Sequence, residues 1–101
     1  MTIDRIQSGP NFNGRLFISR KTNPRYISII KNTKSEIDQL LLNKNYNINM
    51  ETDGSMLKVK ASSIGKSRIN QIAIYKKMIL NPDAIIKQAK KVMRIYENCN
   101  L

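Results

Sequence analysis

The sequence predicts an α+β domain: a four-stranded antiparallel sheet made of two hairpins, with two to three helices packed on one face, in the order ββαββαα. Three observations carry that expectation. Tyr46 to Ala61 alternates apolar and polar residues on both sides of Asp53-Gly54, a dipeptide suited to a type I′ turn, which needs positive φ at both central positions. Two stretches, Lys34 to Leu42 and Pro82 to Asn98, space their apolar residues three and four apart, as a helix lying on a core requires. Finally, Lys34-Ser35-Glu36-Ile37-Asp38-Gln39-Leu40 is similar to Lys66-Ser67-Arg68-Ile69-Asn70-Gln71-Ile72, and at the same spacing Leu16, Ile18 and Ile27 fall on Ile48, Met50 and Val59. That match suggests a duplicated ββα unit. Chance similarity in a chain rich in Ile, Lys and Asn explains it equally well, and the architecture is the same either way.

Residues 1–13 carry Ser8-Gly9-Pro10-Asn11 and little periodicity, so they read as a flexible arm ahead of a single domain at 14–101. Arg15 to Arg20 and Arg25 to Lys31 are β-branched and aromatic, and read as the strands of a first hairpin around Lys21-Thr22-Asn23-Pro24. Thr33 and Glu36 form a capping-box pair for a helix with Ile37, Leu40 and Leu41 on one face, which Asn43-Lys44-Asn45 ends. In the second hairpin a turn at Asp53-Gly54 sets Met50 opposite Leu57, Ile48 opposite Val59 and Tyr46 opposite Ala61. One face is then apolar, while Asn47, Asn49 and Glu51 share the other with Lys60, Lys58 and Met56.

A short polar connection from Ser62 leads into a second helix expected from Ser67 to Leu80, with Ile69, Ile72, Ala73, Ile79 and Leu80 along one face. Asn81-Pro82-Asp83 opens the third helix: an N-cap, a proline at the first helical position, and an acid near the positive end of the dipole. Its inward stripe is Ile85, Ile86, Ala89, Val92, Met93 and Tyr96, and its outward stripe is Lys87, Lys90, Lys91 and Arg94.

Charge narrows the function. The chain sets 18 Lys and Arg against 7 Asp and Glu, a net charge of +11. So much charge of one sign costs self-repulsion that an anionic partner offsets. AT-rich coding accounts for abundant Lys but not for scarce Glu. A single cysteine, Cys99, excludes an internal disulfide framework. No apolar run reaches the length of a membrane span, and the N-terminus lacks a signal-peptide layout. The expected location is the cytoplasm, with export by a route that needs no cleaved signal left open.

Three basic surfaces are candidates. The stripe Lys87, Lys90, Lys91 and Arg94 sums its charge over one helix face and suits a phosphate backbone. Lys58 and Lys60 project from the polar hairpin face beside Asn47 and Asn49. Bare sheet faces of that kind bind RNA in several fold families, usually with stacking aromatics; here Phe17 or Tyr26 is the most the face offers, which favours backbone contact over base stacking. Gly65-Lys66-Ser67 is similar to the end of a phosphate-binding P-loop, but Lys60 stands where that pattern needs Gly, and an antiparallel hairpin does not host it. In a milder form, Gly65, Lys66, Ser67 and Arg68 at a helix N-terminus would suit a phosphate oxygen, or simply cap the helix.

Catalysis has little to build on. The chain has no His, its carboxylates are scattered, and no spacing suggests metal ligands or a nucleophile–base pair, so no cofactor is expected. In size, charge and a Lys58-Val59-Lys60 strand it resembles the small basic messenger-RNA-cleaving toxins of the RelE type, which implies Lys58, Lys60, Arg68, Arg94 and Tyr96 as reacting groups, although the element order departs from that fold. The expected function is therefore a non-enzymatic module docking on a nucleic-acid backbone through the third helix and the Gly65 to Arg68 segment. The alternative is a protein-interaction module, a phage, plasmid or pathogen product that occupies an acidic patch on a host protein; the RNA-cleaving toxin ranks third. No base-reading motif is visible. The third helix has no Trp or Phe to anchor it in a membrane surface.

Overall fold

The computed structural model describes residues 13–64, 71–78 and 81–99. The elements are β1 (Leu16–Ile18), α1 (Pro24–Lys31), α2 (Lys34–Leu40), β2 (Tyr46–Asp53), β3 (Met56–Ser63), β4 (Gln71–Lys77) and α3 (Pro82–Cys99). The strands form one sheet in the order β1-β2-β3-β4. β1 lies parallel to β2, and β2, β3 and β4 form an antiparallel meander. The α+β class and the four strands are as expected, but the sheet is mixed and the order is βααβββα.

The first correction falls on the expected hairpin at Arg15 to Lys31. Leu16–Ile18 is a strand, but Pro24–Lys31 is a helix. The deciding group is Asn23, whose Oδ1 accepts from the Arg25 N–H at 2.9 Å, with Pro24 in the first turn where its missing N–H costs nothing. Asn81 performs the same act on α3, accepting from the Asp83 N–H at 2.8 Å. Helix α1 places Ile30 in the core with Tyr26 and Ile29 packed against it, and that burial outweighs the strand preference of its isoleucines. The capping box at Thr33 is not formed: its hydroxyl donates to the Ile30 carbonyl at 2.6 Å, closing α1 instead.

The second hairpin keeps its faces and moves its register. Asp53 pairs with Met56, Met50 with Val59, Ile48 with Ala61 and Tyr46 with Ser63, so the turn is Gly54-Ser55. Of these two turn residues only Gly54 takes a positive φ, 63°, which fits a type II′ turn with Gly at its first central position. The shift is an even number of residues, so every side chain stays on its expected face.

A third correction concerns Ser67 to Leu80. Gln71–Lys77 is a strand paired along β3, with Ile72 and Ile74 packed against the core and Gln71, Ala73 and Tyr75 on the other face. Ile69, Ile79 and Leu80 lie outside the described residues, as does the expected arm apart from Asn13, which bridges to Leu42. The duplication also falls. Ile27 and Gln39-Leu40 are helical where Val59 and Gln71-Ile72 are extended. Leu16 and Ile18 share their spacing with Ile48 and Met50 because these are direct partners in the parallel pair.

All three helices cover one face of the sheet. Its inward residues (Leu16, Tyr46, Ile48, Met50, Leu57, Val59 and Ala61) join Ile30 of α1, Ile37 of α2 and the stripe of α3 in one core cluster. That α3 stripe is the expected one in full: Ile85, Ile86, Ala89, Val92, Met93 and Tyr96 are all buried. Gly14 lets the entering strand pass against β2, since a Cβ there would stand 1.9 Å from the Tyr46 carbonyl oxygen. Cys99 is a free, exposed thiol. No described helix is long and apolar enough to cross a membrane.

Candidate functional site

A two-layer domain has two outward surfaces, and the expected basic residues divide between them. On the helical side, α3 turns the six buried residues of its apolar stripe inward and leaves Lys87, Lys90, Lys91 and Arg94 exposed. None of the four is ion-paired to a described residue. The acid nearest the end of the stripe is engaged elsewhere. Glu97 Oε2 accepts a hydrogen bond from the Tyr46 hydroxyl and pairs with Lys44 Nζ at 2.9 Å.

That contact fixes local protonation as well as geometry. The Tyr46 hydroxyl and Lys44 hold the Glu97 carboxyl below its usual range. Burial, reinforced by the Glu97 charge, pushes the Tyr46 phenol far above its ordinary value. Tyr46 stacks at 4.5 Å on Tyr96, whose phenol burial also raises against a hydrogen bond with Ser63. Both phenols are neutral at physiological pH.

On the other side, the sheet presents a face that no described element covers. Register sets its rows. Phe17, Asn49, Lys60 and Ala73 stand side by side across the four strands, and Glu51, Lys58 and Tyr75 form the next row. Phe17 is 49% exposed and Tyr75 54%. Lys58 Nζ sits 5.8 Å from the centre of the Tyr75 ring, within cation–π range. Asn49 Nδ2 donates to Ser62 Oγ at 3.3 Å, and Asn47 Oδ1 accepts from the Arg15 N–H at 2.9 Å. Beyond Phe17, an open groove of about 610 Å³ follows the outer edge of β1, lined by Arg15, Ile18, Lys31 and Lys34 among others.

Of the expected site residues, Lys58 and Lys60 are together on the open sheet face, and Lys87, Lys90, Lys91 and Arg94 are together on α3. Lys66, Ser67 and Arg68 lie outside the described residues, and because Gln71–Lys77 is a strand, the expected helix that would lend them its dipole is not formed there. The set implied by the toxin resemblance is not assembled: Lys58 and Lys60 are on the open face, Tyr96 is buried in the core, and Arg94 points outward from α3. Of the two aromatics offered for stacking, Phe17 is on the open face and Tyr26 is packed against the core in α1. Tyr75 was not among them, although the alternation Gln71-Ile72-Ala73-Ile74-Tyr75 is the signal that places it beside Lys58. Comparison with protein families, with characterised proteins and with solved structures found no match to this chain.

Proposed function

We propose that this protein is a small non-enzymatic nucleic-acid-binding module that docks on a phosphate backbone through the outer face of α3. The observation that supports it is the stripe Lys87, Lys90, Lys91 and Arg94: four cations on consecutive turns, exposed, without ion-pair partners among the described residues, on a helix whose opposite face is fully committed to the core. Such a row releases condensed counterions when it meets phosphates, and this is a sequence-independent source of affinity. It supplies no means of reading base identity, in keeping with the absence of a base-reading motif.

The test is a salt titration of binding to a labelled duplex. If all four cations contact phosphates, log affinity falls against log salt with a slope of roughly −3 to −4, at about 0.9 per contact, and Lys91→Ala shallows that slope by about one contact. A flat salt response, or no binding at low salt, overturns the reading. So does a pull-down whose protein partners persist after nuclease treatment while no nucleic acid is retained, since the stripe would then belong to an acidic protein surface.

A further inference from the structure

We infer that the open face of the sheet is a second binding surface, one that takes unpaired RNA by stacking bases on Phe17 and Tyr75. It stands apart from the helix-face reading, because the two surfaces look out from opposite layers of the domain. The rings carry the inference. Tyr46 and Tyr96 are buried and Tyr26 packs against the core, whereas Phe17 and Tyr75 stand about half exposed on a face that no described element covers.

Their placement suits a strand of bases. Phe17 is on β1 and Tyr75 on β4, in adjacent rows, so three strand spacings of about 4.8 Å separate them across the sheet. That span of about 14 Å accommodates two or three splayed bases, the number that sheet platforms of this kind stack. The two strands between the rings carry Asn49 and Glu51 on one and Lys60 and Lys58 on the other, and the two lysines offer their charge to a backbone linking the stacked bases. Ala73, paired with Lys60 and exposed, adds no bulk to the row beside Tyr75.

Charge and hydrogen bonding favour the same occupant. The face carries Arg15, Lys58, Lys60 and Lys77 against Glu51 and Asp53. Asp53 lies at the Gly54 turn and Glu51 shares the row of Lys58 and Tyr75, so the half made by the Phe17–Lys60 row and the row beyond it carries no negative side chain. In that half, Asn47, Ser62 and Gln71 form a row of donors and acceptors able to meet a ribose 2′-hydroxyl, the group by which a protein tells RNA from DNA. Stacking on a ring is tolerant of base identity, so the expected preference is for unpaired over paired strands, with little discrimination among bases.

The full chain is titrated into labelled oligo(U), the matched oligo(dU) and a duplex of equal length. Phe17→Ala with Tyr75→Ala lowers single-strand affinity about tenfold for each ring, while Phe17→Tyr with Tyr75→Phe, which keeps both rings, binds oligo(U) as the parent does. Lys87→Ala with Lys91→Ala and Arg94→Ala weakens duplex binding and leaves the single-strand preference in place. Unchanged oligo(U) affinity in the double alanine variant overturns the inference, as does a loss of its thermal stability without loss of affinity, which marks a face engaged within the protein. Equal affinity for oligo(dU) overturns the assignment to RNA. If duplex binding persists with no single-strand binding, this inference fails and the helix-face reading stands; the reverse pattern retains the sheet and removes the helix.

Discussion

Asp38 Oδ1 accepts a hydrogen bond from the main-chain N–H of Leu16 at 2.7 Å, across the outer edge of the sheet. Lys34, ion-paired with Asp38 at 2.8 Å, donates to the Leu16 carbonyl at 3.1 Å. One i,i+4 pair on α2 therefore occupies both main-chain groups that Leu16, the first residue of β1, turns away from β2. A sheet edge left bare would pair with another chain, and here side chains take the place of a fifth strand. Asp38→Ala removes the acceptor and frees Lys34, and is expected to cost about 1–2 kcal/mol, with Asp38→Asn costing less because an acceptor remains. Urea unfolding of the three proteins, read at the denaturation midpoint, checks this.

The Tyr46–Glu97–Lys44 contact makes stability depend on pH at both ends of the scale. Glu97 has its folded value depressed, so its contribution is present above its ordinary value of 4.5 and is lost as pH falls below it. Tyr46 has its folded value raised, so its contribution is complete below 10.0 and is lost as pH rises beyond it. Tyr46→Phe is expected to flatten both limbs, and Glu97→Gln the acid limb and part of the alkaline one. Thermal melts from pH 3 to 11 check the pattern; an unchanged acid limb in Glu97→Gln counts against it.

Two asparagines open two helices by the same hydrogen bond. Asn23→Ala and Asn81→Ala are each expected to destabilise by about 1 kcal/mol, or roughly 4–8 °C in melting temperature for a domain of this size. The capped helix starts share no partner, so the double variant should show the sum. A melting curve unmoved by Asn23→Ala would mean that Pro24 alone fixes the start of α1.

Gly14→Ala puts a methyl group into the Tyr46 carbonyl, which is backbone and has no freedom to step aside. Overpacking of this kind costs about 1–3 kcal/mol, and the expected loss is at the upper end. Gly54→Ala, where the difficulty is a positive φ without any crowding, should cost about 1–2 kcal/mol. Denaturation midpoints that rank Gly14→Ala as the milder change contradict the close approach.

Much of this fold could be read from residues alone, and the misreadings have physical causes. The faces of β2 and β3 and the buried stripe of α3 were legible because long, regular periodicity admits one answer. The register slipped because a glycine after an aspartate can serve as the second residue of one turn type or the first of another. The segment at Gln71–Lys77 satisfies both periods: Ile69, Ile72 and Ala73 suit a helix, while Ile72 and Ile74 alternate as in a strand. Only β3 alongside decides between them. For α1, three isoleucines spoke for a strand while Asn23-Pro24 spoke for a helix start, the same signal as Asn81-Pro82. The parallel pairing of β1 has no local signature at all, since it joins residues across two helices. The candidate surfaces followed suit: Lys58, Lys60 and the α3 stripe came from clear periodicity, while Tyr75 was missed with its strand.

The pairing of β1 also sets an order of events in time. β2, β3 and β4 neighbour one another in sequence and can assemble by short loop closures, whereas Leu16 meets Ile48 only after α1 and α2 have brought the chain back. From this topology β1 is expected to be the last strand to join the sheet and the first to leave. Its three residues should exchange amide hydrogens through a local opening far cheaper than global unfolding, carrying Phe17 away from the face while the meander beneath remains intact.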